Sequence, residues 1–185
     1  MTIKTAAATA QDVLDFWFSD RMEPNWFAKS DQVDAAIRDR FAATYEAAHR
    51  RELDDWAAAP EGALALVIVL DQFPRNIFRG DGRAFESNDL ALEHARAAID
   101  AGFDQQVDAR RRQFFYLPFM HSEDLPDQTR SVELYEALGD PGGLDYAVQH
   151  RDIIQQFGRF PHRNAALDRP NTPDEDEFLK THQGF

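Results

Sequence analysis

The sequence predicts an all-α fold: roughly seven to eight helices stacked as antiparallel helical hairpins, in a single domain over residues 1–185. Three observations predict it. Nearly every segment repeats its apolar side chains at helical period, and no stretch alternates as a half-buried strand does. Helix-start and helix-stop residues recur along the chain. The connections between periodic segments are short, as in stacked helical hairpins.

Taken in order, Thr9 is a candidate cap for a short helix from about Gln11 to Phe18, with Val13, Leu14, Trp17 and Phe18 as its apolar stripe. A loop with Pro24, Trp26 and Phe27 follows. Ser30 then caps a long helix whose stripe is Val33, Ile37, Phe41, Thr44, Tyr45 and Ala48. Pro60 and Glu61 open a third helix, where proline and an acid suit the first turn. Its middle, residues 63–70, is apolar all round, so it is expected to be enclosed by the others. The valines and isoleucine there would also suit a buried strand, but the proline start favours helix.

Ser87 or Asn88 caps a helix that ends at Gly102. The next helix runs from about Asp108 to Met120 and is expected to kink or finish at Pro118. Pro126 starts another, stopped by Gly139. Asp140-Pro141-Gly142-Gly143 reads as a breaker, before a helix from about Leu144 to Phe157 closed by Gly158. Thr172-Pro173-Asp174-Glu175 is a capping box with proline at the first helical position. It opens a short helix and tail over 172–185, which places Phe178 and Leu179 against the body.

Composition removes several functions. With 20 Lys+Arg against 33 Asp+Glu, the formal charge is −13, which repels nucleic-acid backbones and anionic membranes. Without cysteine there is no disulfide scaffold, thiol nucleophile or thiolate zinc site. The longest apolar run is far short of the ~20 residues that span a bilayer. The opening Met1-Thr2-Ile3-Lys4-Thr5-Ala6 has no apolar signal core, so a cytoplasmic location is expected.

A short internal echo is the most informative motif. Gln72-Phe73-Pro74-Arg75-Asn76 and Arg159-Phe160-Pro161-His162-Arg163-Asn164 each place Phe-Pro before Arg-Asn. Proline should push the preceding phenylalanine out of helical angles and end the helix, and asparagine should cap the next turn. Arg75, Arg79, Arg159 and Arg163 can then converge on a carboxylate or phosphate, which arginine binds bidentately. Equally, they can pair with internal acids, Asp71 being four residues before Arg75.

His150 lies on the apolar stripe Tyr146, His150, Ile153, Ile154 and Phe157, either as a base with a moved pKa or as a satisfied core histidine. Met120-His121-Ser122-Glu123-Asp124 supplies an imidazole, a hydroxyl and two carboxylates beside a helix exit. A serine triad is disfavoured, because sequence neighbours point apart and no nucleophile elbow is present. His121, His150, His162 and Glu123 or Asp124 would suit zinc, manganese or iron, but no paired ligands share one helix; no metal or cofactor is expected. Gly80-Asp81-Gly82 is too short for a phosphate loop.

Asp71-Gln72-Phe73-Pro74-Arg75-Asn76, Tyr116-Leu117-Pro118-Phe119-Met120-His121-Ser122-Glu123-Asp124 and Gly158-Arg159-Phe160-Pro161-His162-Arg163-Asn164 resemble three signature blocks of a bacterial family, domain of unknown function 924. Val13-Leu14-Asp15-Phe16-Trp17-Phe18 is similar to its N-terminal block. The resemblance implies a helical fold of the tetratricopeptide-like superfamily and no particular reaction. Where the family ending reads Leu-Gly-Arg, this chain has Leu167-Asp168-Arg169.

These readings give a small-anion pocket between helices, with Arg75, Asn76, Arg79, Arg159, His162, Arg163 and Asn164 binding and His121, Glu123 and His150 as candidate acid–base groups for a hydrolase or lyase. Two alternatives stand beside it. One is a helical scaffold that binds a peptide, a protein partner or a second copy of itself. The other is a set of buried hydrogen-bond networks that only fix helix packing.

Overall fold

Thr9 begins the first helix by a reciprocal cap, its side chain bonded to the Asp12 backbone while Asp12 reaches back to the Thr9 amide. The computed structural model describes residues 7–185; the reading of Met1-Thr2-Ile3-Lys4-Thr5-Ala6 falls outside them. The described residues form α-helices and short 3-10 turns, so the fold is all-α. Residues 7–79 and 83–118 make one compact unit, and residues 80–82 and 119–185 make another. None of the described helices is long and apolar enough to cross a membrane.

The first unit contains α1 (Ala10–Trp17), α2 (Asp31–His49), α3 (Pro60–Asp71), α4 (Phe73–Ile77), α5 (Asn88–Asp100) and the first ten residues of α6 (Ala109–His121). Ser30 caps α2 as expected, accepting from the Val33 amide. Every residue from 63 to 71 of α3 is buried, and α3 packs against α1, α2 and α5. Trp17, Phe73, Phe114 and Phe41 close the core in tilted and edge-on contacts with ring centroids 4.9–5.7 Å apart.

Four local expectations need correction here. Phe73 is not expelled from helical angles: α3 yields to α4 across Gln72 alone, and Pro74 sits in the first turn of α4, where its missing N–H costs nothing. Asn76 is therefore inside α4 and caps nothing. Ser87 occupies the N-cap position of α5, but its hydroxyl donates to the Leu70 carbonyl at 2.6 Å and accepts no bond from the first amides of the helix. Pro118 lies within α6, three residues before its end, so the helix does not finish there; what its missing N–H removes is the helical bond to the Phe114 carbonyl.

The second unit holds the end of α6, α7 (Leu125–Leu138), α8 (Pro141–Phe157) and α9 (Pro173–Leu179). Gly139 and Gly158 end α7 and α8 in the left-handed conformation, as predicted. The expected breaker is instead the first turn of α8. Its Gly143 is required by a close approach, since a Cβ there would meet the Tyr135 ring and the Asp140 carboxylate at 2.5 Å. Ile153, Ile154 and Phe160 are buried together, with Phe157 and Phe178 against them.

Candidate functional site

In the first unit, the arginines of the first Phe-Pro exit are met by internal acceptors. Arg79 donates from Nε and Nη2 to the Asp34 carboxylate at 2.6 and 2.8 Å, and Asn76 donates to the same group at 2.8 Å. Burial alone would raise the Asp34 pKa; the Arg79 and Asn76 hydrogen bonds outweigh it and hold the carboxyl below its ordinary range. Arg75 donates to the Asp71 carbonyl at 2.7 Å and to Asn88 at 3.1 Å, with the Asp71 carboxylate 3.5 Å away. The set is a built anchor between α2, α4 and the start of α5.

In the second unit, the copy of the exit behaves differently. Phe160 is extended, with φ −89° and ψ 106°, as a pre-proline residue should be. Arg159 grips buried Glu175 through Nε at 2.6 Å and Nη2 at 2.7 Å, which holds that carboxyl down to about 2. Asn164 does not cap the following turn; its amide donates to Asn171 at 2.8 Å and toward Glu175 at 3.4 Å.

The end of α6 shows where the other motif residues go. The Gln128 amide donates to the carbonyls of Phe119, Met120 and Ser122, and Arg163 Nη2 donates to the His121 carbonyl at 3.0 Å. Carbonyls at and just past the helix end thus find donors, and the guanidinium suits the negative pole of the helix. Arg163 also lies 4.4 Å over the Phe160 ring, and its side chain is 6% exposed.

Glu123 is locked from two sides. It accepts the Phe160 N–H at 2.8 Å and a bidentate pair from Arg169 at 2.7 and 3.1 Å. Burial would push its pKa up, but these bonds and the nearby Arg163 charge hold it below the ordinary value, so it stays ionised. The turn that delivers Arg169 passes through Asp168 at φ 52°, the left-handed conformation that glycine adopts freely. The departure from Leu-Gly-Arg argued against a tight turn here, but the aspartate adopts the left-handed conformation all the same.

Beside this framework lies a group of imidazoles. His150 is 5% exposed on α8, and its Nδ1–H donates to the Tyr146 carbonyl at 2.7 Å. A carbonyl can only accept, so Nδ1 carries the proton of the neutral ring and Nε2 is left as the acceptor. Burial, with smaller contributions from His121, Arg163 and His162, pushes the His150 pKa down to about 3. The His121 ring centre is 6.4 Å from that of His150, and Phe160 stands 5.5 Å from both His150 and His162. Among the described residues no group of three His, Asp or Glu side chains has the arrangement to hold a metal ion.

Of the residues singled out from the sequence, the second unit gathers Glu123, His150, His162 and Arg163 around Phe160, with His121 beside His150. It places Arg159 and Asn164 together on Glu175. Arg75, Asn76 and Arg79 lie in the first unit on Asp71 and Asp34. Sequence reasoning missed Asp34, Arg169, His182 and Phe185. Arg169 stood in the sequence only as the last residue of Leu167-Asp168-Arg169, and Asp34, His182 and Phe185 carried no signal. Phe27 is exposed, while Trp26 and Phe103 are half-buried.

A two-unit all-helical body with an arginine- and imidazole-bearing second unit is the class that this geometry defines. The chain belongs to the bacterial family of proteins of unknown function DUF924, whose model matches residues 13–183. It is also similar to the solved structure of a protein of unknown function from Agrobacterium tumefaciens, with 44% identity and a TM-score of 0.89. That match covers 94% of this chain and 97% of the other. No curated protein matches it.

Proposed function

We propose that the protein binds a small anionic metabolite in its second unit, over the imidazoles of His121, His150 and His162, with Arg163 as the permanent cation. One observation carries the reading. A buried histidine is held neutral, in one tautomer, near an arginine and two further imidazoles. A lone pair near a fixed positive charge recognises a group with both an exchangeable proton and negative charge, such as a hydroxy acid. An imidazole whose pKa is about 3 is a weak base, so in this reading His150 binds the ligand. Proton transfer for a hydrolysis or elimination falls to the neighbouring imidazoles of His121 and His162.

In this reading Glu123 is a positioning residue, since its ionised carboxylate is committed to Arg169 and the Phe160 amide. Arg75, Asn76, Arg79, Arg159 and Asn164 hold the fold through their acids and backbone partners. The acidic, cysteine-free composition supports the cytoplasm as its location. Native mass spectrometry of the purified chain, beside His150→Gln, tests the proposal. An anionic molecule bound to the wild type and lost from a folded variant is expected. Identical ligand retention in both proteins, or no anion bound by the wild type across a metabolite panel, would sink it.

A further inference from the structure

The second unit contains a ring-shaped slot, and the chain fills it with its own Phe185. That ring lies flat on His150, with centroids 3.6 Å apart and planes 18° from parallel. Tyr146, His162 and His182 meet it edge-on at 6.2, 6.1 and 4.8 Å, with interplanar angles of 70–80°. One stacked face and three edges are the contacts an aromatic ring favours. Phe185 nevertheless remains 44% exposed, so its removal uncovers the slot without opening the core.

The segment that brings it there has one conformational key. Gly184 has φ 109°, a region that side-chain-bearing residues rarely adopt, and a Cβ there would sit 3.3 Å from the His162 ring. The preceding turn is pinned to α9, because the Thr181 and His182 amides both donate to the Phe178 carbonyl. A fixed base, one glycine and the ring next to it make a segment in which Phe185 can leave and return by rotation at Gly184.

We propose that this slot binds an aromatic ring carrying an anionic group, and that Phe185 occupies it in cis and leaves when such a ligand enters. The inference rests on the anion reading above and adds the ligand's shape and its gate. The ring takes the stacking place on His150, and the anionic group faces the imidazoles of His121 and His162 with Arg163 behind them. Occupancy by Phe185 multiplies the affinity by the fraction of molecules with the slot open, and so weakens it.

The test titrates 3-phenylpropanoate into the full chain by calorimetry, beside its neutral amide and acetate. Phe185→Ala should bind the acid at least tenfold tighter than the wild type does. Gly184→Ala, which keeps the ring but disfavours its docking, should also bind several-fold tighter and serves if Phe185→Ala does not fold. The amide should bind Phe185→Ala at least tenfold more weakly than the acid. Equal affinity of wild type and both variants for the acid, or no binding to either variant, overturns the proposal. Acetate bound by all three proteins without any gain for the ring leaves the anion reading intact and overturns this one. Acid and amide bound equally by Phe185→Ala uphold the gated slot and overturn the anion reading.

Discussion

Lowering the pH from 7 to 5 should destabilise the protein through His150, by an amount that the structure sets. The folded imidazole titrates near 3 because it is buried, against an ordinary value of 6.5. Where the unfolded chain binds a proton that the folded chain refuses, stability falls as pH falls. The loss begins at the unfolded value and continues to the folded one. One pH unit of that interval is worth ~1.4 kcal/mol. At pH 5, about 1.5 units below the unfolded value, the loss is therefore ~2 kcal/mol.

The groups that could mask this loss act elsewhere or are shared. Asp34, Glu123 and Glu175 have depressed pKa values, so their stabilisation is present above the carboxylate range and falls only below about pH 4.5. His94 is lowered by burial and loses stability in the same window. A comparison with His150→Gln removes its contribution. Urea unfolding at pH 7, 6 and 5 should show the wild type losing ~2 kcal/mol more than the variant. Parallel pH profiles for the two proteins would refute a neutral, desolvated His150.

Other perturbations have defined signs. Asp168→Gly should stabilise by about 1 kcal/mol, since glycine carries no penalty at φ 52°, and chemical denaturation reads it. Glu123→Gln should cost about 2–3 kcal/mol by leaving Arg169 half-buried without its carboxylate, and combining it with Arg169→Leu should recover part of that loss in a double-mutant cycle. Gly143→Ala should cost about 2 kcal/mol in thermal melts, because its methyl group meets the Tyr135 ring.

Local signals in the sequence were most reliable where one residue type settles the backbone. Thr9, Ser30, Pro60, Gly139, Gly158 and the box at Thr172 all begin or end helices where expected. Reading failed where a distant residue sets the local answer. Gly142 and Gly143 argue against helix by propensity, yet both lie in the first turn of α8, and the second has to be glycine because Tyr135 leaves no room for a side chain there. Pro74 and Pro161 stand in nearly identical motifs, but one lies in the first turn of a helix and the other follows an extended phenylalanine.

The chemistry divides in the same way. His150 and Arg163 were identifiable from spacing and motif. The carboxylates that answer Arg79 and Arg159 lie 45 and 16 residues away, beyond any periodic pattern. The glycine-to-aspartate departure at Asp168 argued against a tight turn, yet the chain turns there at φ 52° and so delivers the Arg169 clamp on Glu123.

The complete enclosure of α3 bears on how the first unit opens. With residues 63–71 all out of contact with water and neighbours on several sides, no partial fluctuation can expose their amides while leaving the surrounding helices in place. Deuterium should therefore enter α3 last in that unit, at a rate set by its cooperative unfolding, which makes this helix an internal clock for whole-unit opening.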